Sequence, residues 1–284
     1  MTGSDLTFVI PAYNAERTVA RAVESAARCR PERIVVIDDG SRDRTAEVAE
    51  RAGAVVTSQP NAGAARARRA GLEQVRTGLI CFLDADDAVH PPGLGAMLRR
   101  CGPSDERAVI GGRIRIFRPD GTLGRKLRRV VPGGRVTTEH LLAAGGGPWA
   151  PCAAVWTSRF ARLIYAEHLG PLLEPRLAED YEMLLRASMI GRIELSSATV
   201  GLHTVAGGKS ETSGQQAAES VERIRTHYAA LTGIPVRPAT EAERERRVLR
   251  RTLRGQLAQG NVPGVTRALG QVLDHEVRTL VTRP

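Results

Sequence analysis

Three carboxylates crowd into the four residues Asp84-Ala85-Asp86-Asp87, directly after the apolar run LICFL. Gathered at a strand end rather than spread along a solvated helix face, they repel one another unless a cation sits among them. A hard divalent ion such as Mg²⁺ or Mn²⁺ takes oxygen ligands and is commonly held by one or two carboxylates together with substrate phosphates. The cluster therefore reads as a metal bridge to a diphosphate, with an ordinary acidic surface turn as the plainer alternative. A second acidic strand end, IVVIDDGSRDRT, places Asp38 and Asp39 where a carboxylate can accept hydrogen bonds from a base N–H or ribose hydroxyls. Here Asp39 is the ligand candidate, and Asp43 is the candidate cap of the helix that follows. In NAGAARARRAG, Arg68 is the candidate for phosphate oxygens, and Arg66 and Arg69 read as solvated charge. Trp149, in the Gly/Pro stretch GGGPWAPC, is a candidate for stacking on an acceptor, whereas Trp156 in AAVW reads equally as core.

These groups need a scaffold that brings several strand ends together. From Leu6 to about Leu83, apolar runs (LTFVI, IVVID, AVVTS, LICFL) alternate with amphipathic segments. That pattern predicts parallel strands covered by helices on both faces, and in such sheets ligands bind beyond the carboxyl ends of the strands. The fold class is α/β, a single sandwich with a mixed, mainly parallel central sheet and a C-terminal helical extension. AVIGGRIRIF predicts a further strand, Asp120-Gly121 a hairpin turn, and residues 133–175 loops over a groove with a short helix or two. A helix is expected from Glu179 to Ile190, then strands near Ile193–Leu195 and Thr199–His203, then helices from Gln215 onward.

Composition bounds the function classes. The 284 residues are 42% hydrophobic and 25% charged, enough for a substantial core and not the balance of a disordered chain. Four widely spaced cysteines, Cys29, Cys81, Cys101 and Cys152, suggest neither a zinc site nor a disulfide framework and read as buried small hydrophobes. A net charge of +10 attracts anionic nucleotides or lipids. With 4% aromatics and no basic stretch interleaved with stacking rings, a nucleic-acid platform is not expected. No secretory signal or membrane-length apolar run is read, so the expected location is cytoplasmic, with possible association with a membrane.

Together, VIPAYNAERTVARAVES, VVIDDGSRDRT, NAGAARARRAG and FLDADD resemble the N-terminal half of the family 2 inverting glycosyltransferases, over about residues 6–100. The resemblance resumes at LAEDYEMLLRA (177–187) and GLHTVAGGKS (201–210). It implies a nucleotide-diphospho-sugar transferase fold of the GT-A type, an NDP-sugar donor such as a UDP-sugar, and Mn²⁺ or Mg²⁺ as cofactor. Residues 1–115 would form the donor-binding half, 116–212 the acceptor-binding half of the same domain, and 213–284 the helical extension. By the same resemblance Pro11, Tyr13, Asn14 and Asp39 border the nucleoside and Arg68 lies near the base or phosphates. Asp84 lies near ribose or metal, Asp86 is the firmest metal ligand, and His203 completes the metal shell. Asp180 is the general base and Glu179 orients it. The family often reads Ala-Arg-Asn where this chain has Ala67-Arg68-Arg69, so the contact of that Asn is absent or altered.

Each role has a structural competitor. Asp180 could simply cap the helix that follows, and His203 could be a satisfied strand-end histidine. A dinucleotide oxidoreductase would need G-x-G-x-x-G after the first strand, where this chain has PAYNAE, and a nucleotidyltransferase would need a Gly-rich phosphate loop. A non-catalytic nucleotide-sugar-binding scaffold would be expected to have lost Asp86 or Asp180. The acceptor, a glycan, a lipid-linked sugar, a peptide or a small molecule, is not legible. The basic tail EAERERRVLRRTLRGQ (241–256) could meet an anionic membrane, a homodimer partner or its own domain.

Overall fold

The computed structural model describes residues 5–101, 107–117, 123–127, 135–204, 214–259 and 261–281. The first strands form because their residues are apolar on both faces: β1 (Leu6–Ala12) is buried throughout and β2 (Arg33–Asp38) is buried after its first residue. With β3 (Val55–Ser58) and β4 (Leu79–Phe82) they make a parallel run in the order β3-β2-β1-β4. The connecting helices are α1 (Val19–Ala27), α2 (Thr45–Arg51) and α3 (Ala64–Glu73). Helix α1 buries Val19, Ala22, Val23 and Ala26, the spacing of one helical face. Helix α3 lies close on the sheet because Gly71 has no side chain: a Cβ there would stand 2.3 Å from Val9 Cγ1. That approach holds Arg68, one turn earlier, at the carboxyl ends of the strands.

Beyond β4 the sheet turns mixed. The short β5 (Ala88–Val89) and α4 (Pro91–Leu98) lead to β6 (Arg107–Phe117), β7 (Leu123–Leu127) and β8 (Arg135–Val136). Helix α5 (Thr138–Ala144) precedes β9 (Ala154–Thr157), which is followed by α6 (Ser158–Leu163), α7 (Glu179–Ile190) and β10 (Arg192–Thr204). The order continues β4-β9-β6-β10-β5, with β9 antiparallel to both neighbours and β10 parallel to β6. Strand β9 corrects the expectation of loops across 133–175: four fully buried residues insert into the middle of the sheet. The two strands expected at 193–203 are one, broken in register against β6 between Leu195 and Thr199 and again before Gly201. β6 and β7 pair antiparallel as a hairpin requires, but the Asp120-Gly121 turn lies outside the described residues. So does the 205–210 part of GLHTVAGGKS.

The chain ends in helices α8 (Gly214–Thr232), α9 (Glu241–Gln259) and α10 (Val262–Val281). Helix α8 packs on α5 and α7, α9 on α8, and α10 on α9. All four cysteines are free, three of them buried and Cys29 half-buried. Among the described residues no helix is long and apolar enough to cross a membrane.

Candidate active site

The turns after β1 and β2 are laced together. Asn14, in the left-handed region at φ 49°, donates its N–H to Ser41 Oγ (2.9 Å) and accepts from the Arg42 amide on its Oδ1 (2.9 Å). Asp43 accepts from the Thr45 amide at 3.0 Å, a local turn one residue ahead of the N-cap of α2, which is Arg44 and makes no side-chain cap. Pro11 is buried within β1, and Tyr13 and Asn14 follow at its carboxyl end. Asp39 is buried and its carboxylate is held by the 59–63 loop: Oδ1 accepts from Gln59 Nε2 and the Ala62 amide and Oδ2 from the Gly63 amide, each at 2.8 Å. Its carboxylate shapes the entry to α3, beside whatever it offers a ligand.

The acidic cluster forms the turn between β4 and β5, closed by the Asp87 amide donating to Asp84 O at 3.0 Å. Its three carboxylates do different things. Asp87 is fully buried and accepts from the Thr204 amide (2.9 Å) and pairs with His203 Nδ1 (3.0 Å), so it is a support. Asp84 Oδ1 accepts from Arg68 Nη2 at 2.6 Å. Burial pushes the Asp84 carboxyl up, Arg68 opposes this, and Asp87 and Glu179 add to it. Arg21 Nη2 donates to the main-chain oxygen of Asp86 at 2.5 Å, while among the described residues no side chain hydrogen-bonds the Asp86 carboxylate. Burial first, then the charges of Asp87 and Asp84, push it up to about 6, with His203 opposing. At His203 burial disfavours the imidazolium, but Asp87, with Asp84 and Asp86, holds its pKa up at about 9. With Nδ1 held by Asp87, Nε2 is the ring nitrogen of His203 that could meet a metal, and it would have to lose its proton to do so. Among the described residues no three His, Cys, Asp or Glu groups converge as a metal-holding cluster. The donor set fits a hard ion that one or two carboxylates hold while substrate phosphate oxygens complete the shell.

The opposite wall is the first turn of α7. Ala178 at φ 67° turns the chain into the helix and sets Glu179, Asp180 and Glu182 in that turn. Burial, then Glu179 and Asp84, push the Asp180 carboxyl up to about 6 against the opposing charge of Arg68. Asp180 lines a cavity with Arg68, Phe82, Trp149, Pro151 and Trp156. Trp149 is buried, its ring lying on the β6 backbone where a Cβ at Gly111 would come within 2.3 Å, so the cavity meets this ring from within the fold. Trp156 is core, edge-on to Phe82 with centroids 5.9 Å apart. The two walls are joined by buried Arg68, whose Nη1 donates to Glu179 Oε1 at 2.9 Å while Nη2 holds Asp84. Its two terminal nitrogens thus serve carboxylates of the protein, where the sequence pointed to base or phosphates.

Three residues were not foreseen. Glu182 and Arg186, one turn apart on α7 and both buried, meet the Tyr228 hydroxyl of α8 at 2.8 and 2.9 Å. Glu182 also accepts the Leu173 and Glu174 amides, and Arg186 donates to the carbonyls of Ile164, Ala166, Leu169 and Gly170. The segment 164–174 that leads to Glu179 therefore hangs on α7 and α8. The available signal was the i,i+4 charge pair within a helix whose neighbours Met183, Leu184 and Ala187 are apolar.

Residues 7–157 match the family model described as glycosyl transferase family 2. The chain is 30% identical over 294 residues to the succinoglycan biosynthesis protein ExoU of Rhizobium meliloti (strain 1021), covering 96% of this chain and 84% of that one. Among solved structures, S. aureus TarS 1–349 in complex with UDP-GlcNAc superimposes with a TM-score of 0.58 at 19% identity, over 95% of this chain and 81% of that one. The M. tuberculosis glucosyl-3-phosphoglycerate synthase, solved with Mn²⁺, UDP and glucosyl-3-phosphoglycerate, gives 0.55 at 19% identity, over 82% of each chain. These structures share the α/β fold with its mixed sheet, and the matched model spans the first strand through β9, the acidic strand ends included. With the family model covering more than half of its length, the chain belongs to glycosyl transferase family 2 and is a glycosyltransferase.

Proposed function

We propose that the protein moves a sugar from a nucleotide-diphosphate donor to an acceptor hydroxyl with inversion at the anomeric carbon. The observation that carries this reading is the Asp84–Arg68–Glu179 bridge, which draws the acidic strand end and the first turn of α7 to one site. The donor nucleoside is assigned to Pro11, Tyr13, Asn14 and Asp39, with Arg68 and Asp84 toward the ribose and diphosphate. UDP is the nucleotide to test first, because it is bound in both solved relatives named above. Asp86, with Asp84 or His203 Nε2 as second ligand, would hold Mn²⁺ or Mg²⁺, and such an ion offsets the charge of the departing diphosphate.

Inversion needs one base that takes the acceptor proton while the nucleotide leaves from the other face. Asp180 is that base. It is partly buried, raised in pKa, and so basic enough to accept a proton yet ionised at neutral pH. Glu179, held by Arg68, fixes the helix turn that aims it, and Trp149 is the aromatic side chain assigned to the acceptor side. The acceptor class consistent with family 2 is a glycan or a lipid-linked sugar. On this reading residues 1–115 carry the donor, 116–212 the acceptor, and 213–284 brace the acceptor side.

Release of nucleoside diphosphate from a panel of nucleotide sugars, with and without Mn²⁺, tests the proposal in the wild type and in Asp86→Ala. Metal-stimulated release lost in the variant is expected. Absence of binding or turnover of every donor with every divalent ion would sink the reading.

A further inference from the structure

The described surface has six large apolar side chains that are substantially exposed, and four of them share one hairpin. Val55 on β3 and Leu231 on α8 lie elsewhere. Leu257 stands near the end of α9, and Val262, Leu269 and Leu273 follow on α10 at the seven- and four-residue intervals of a single helical face. Their exposures are 53%, 72%, 44% and 64%. This row is not how α10 meets α9. Contacts between the two helices include Arg246 and Arg250 against Glu276 (2.6 and 3.4 Å), His275 against Glu245 (3.3 Å), and the buried Ala268. The hairpin is closed by other groups and leaves the apolar row outward.

A second copy of the chain and a lipid surface are the two occupants such a row could have, and charge separates them. Each molecule carries +10, and α9 has six arginines against three glutamates. Two such surfaces repel when brought face to face, whereas an anionic bilayer attracts each basic side chain near it by about 1 kcal/mol. Arg250, 56% exposed, lies on α9 seven residues before Leu257, the interval of one helical face. Apolar residues on one face with arginine around them is the composition of a helix lying in the headgroup plane. We propose that α9 and α10 seat this protein on an anionic membrane surface, with Leu257, Val262, Leu269 and Leu273 at the acyl boundary. The inference goes beyond sugar transfer and does not depend on the donor reading, since vesicle binding needs no donor.

Co-sedimentation of the full chain with phosphatidylcholine vesicles, with or without one third phosphatidylglycerol, tests it. Binding to the anionic vesicles alone is expected, weakened strongly at roughly 0.5 M salt, where screening acts within a few ångströms. The double variant Leu269→Gln/Leu273→Gln should bind those vesicles about tenfold or more weakly, from lost apolar burial, with unchanged circular dichroism and melting temperature. The milder Leu269→Ala/Leu273→Ala pair should fall between. No binding to either vesicle, equal binding to both, or equal binding by wild type and variants would overturn the proposal. Self-association of the wild type that the double variant abolishes would overturn it as well, and would assign the row to a second copy.

Discussion

The two walls of the site are held in place by different means. On the strand-end wall the backbone does the holding: amides of Ala62 and Gly63 fix Asp39, and the amide of Thr204 fixes Asp87. On the helix wall Glu179 and Asp180 sit on the end of α7, whose place depends on the buried side chains Glu182 and Arg186 and on Tyr228 from another helix. Arg68 is where the two systems meet. A carboxylate fixed by backbone amides keeps its donors when side chains around it change, wherever those amides lie in the chain. One carried on a helix end inherits every weakness of that helix's packing. The donor wall should therefore be robust and the acceptor wall tunable from a distance, and substitutions can separate the two.

Loss of the proposed base gives the largest expected effect. Asp180→Asn should lower transfer by about 10²–10⁴-fold, the usual contribution of general base catalysis, while donor affinity in a titration stays near the wild-type value. Transfer at an unchanged rate would remove Asp180 from the mechanism. The pH dependence follows from the raised pKa of about 6: the carboxyl is protonated below that value and cannot take a proton. Transfer in the wild type should fall as pH drops through about 6 and level off above it, and Asp180→Asn should lack that limb.

Next is the link between the walls. Arg68→Met leaves Asp84 and Glu179 facing each other without the cation that both use, and removing one partner of a buried ion pair costs about 3–5 kcal/mol. Both carboxylates keep partial solvent contact, so about 3 kcal/mol is expected, read as a lower denaturant midpoint. An unchanged midpoint would mean the walls are joined by something else. Smaller and confined to the donor wall is Asp39→Asn. Its amide nitrogen must face an N–H where an oxygen stood, costing about 1–3 kcal/mol for an unsatisfied buried donor. Donor KM should rise roughly tenfold, as 1.4 kcal/mol corresponds to tenfold, with acceptor KM unchanged.

The same contrast explains what could be read from the sequence. The strand-end wall was legible as structure because each strand, turn and following helix is contiguous: LICFL runs straight into the acidic cluster, and IVVID into Asp39. Asp39 takes its partners from the next loop along the chain, whereas Asp87 takes His203 and Thr204 from more than 110 residues downstream, and those the sequence does not show. Strand β9 was not legible, because AVWT is too short to show a period and sits among glycines and prolines that argue for loop. What makes it a strand is pairing with β4 and β6, more than forty residues away for each. The bridge made by Arg68 was not legible either, because the sequence cannot show Glu179 arriving from 111 residues downstream. The Tyr228 hydroxyl is likewise 46 residues from Glu182 and 42 from Arg186, and nothing near THYAAL marks it as polar and buried.

That hydroxyl gives the smallest predicted effect and the sharpest test of the contrast. In Tyr228→Phe the ring and its packing remain, but the group donating to Glu182 and accepting from Arg186 is lost. Arg186 keeps its carbonyl acceptors and Glu182 its two amide donors, so the loss is limited to about 1 kcal/mol of stability. The displaced part is the segment 164–174 and the first turn of α7, not the turns that hold Asp39 and Asp87. Acceptor KM should therefore rise a few-fold with donor KM unchanged, the mirror image of Asp39→Asn. A rise in donor KM of the same size would show that the walls respond as one body. Combined with Asp39→Asn, the two effects should add, because well-separated sites without shared partners usually do, and a departure beyond about 0.5 kcal/mol would place Arg68 as the element coupling them.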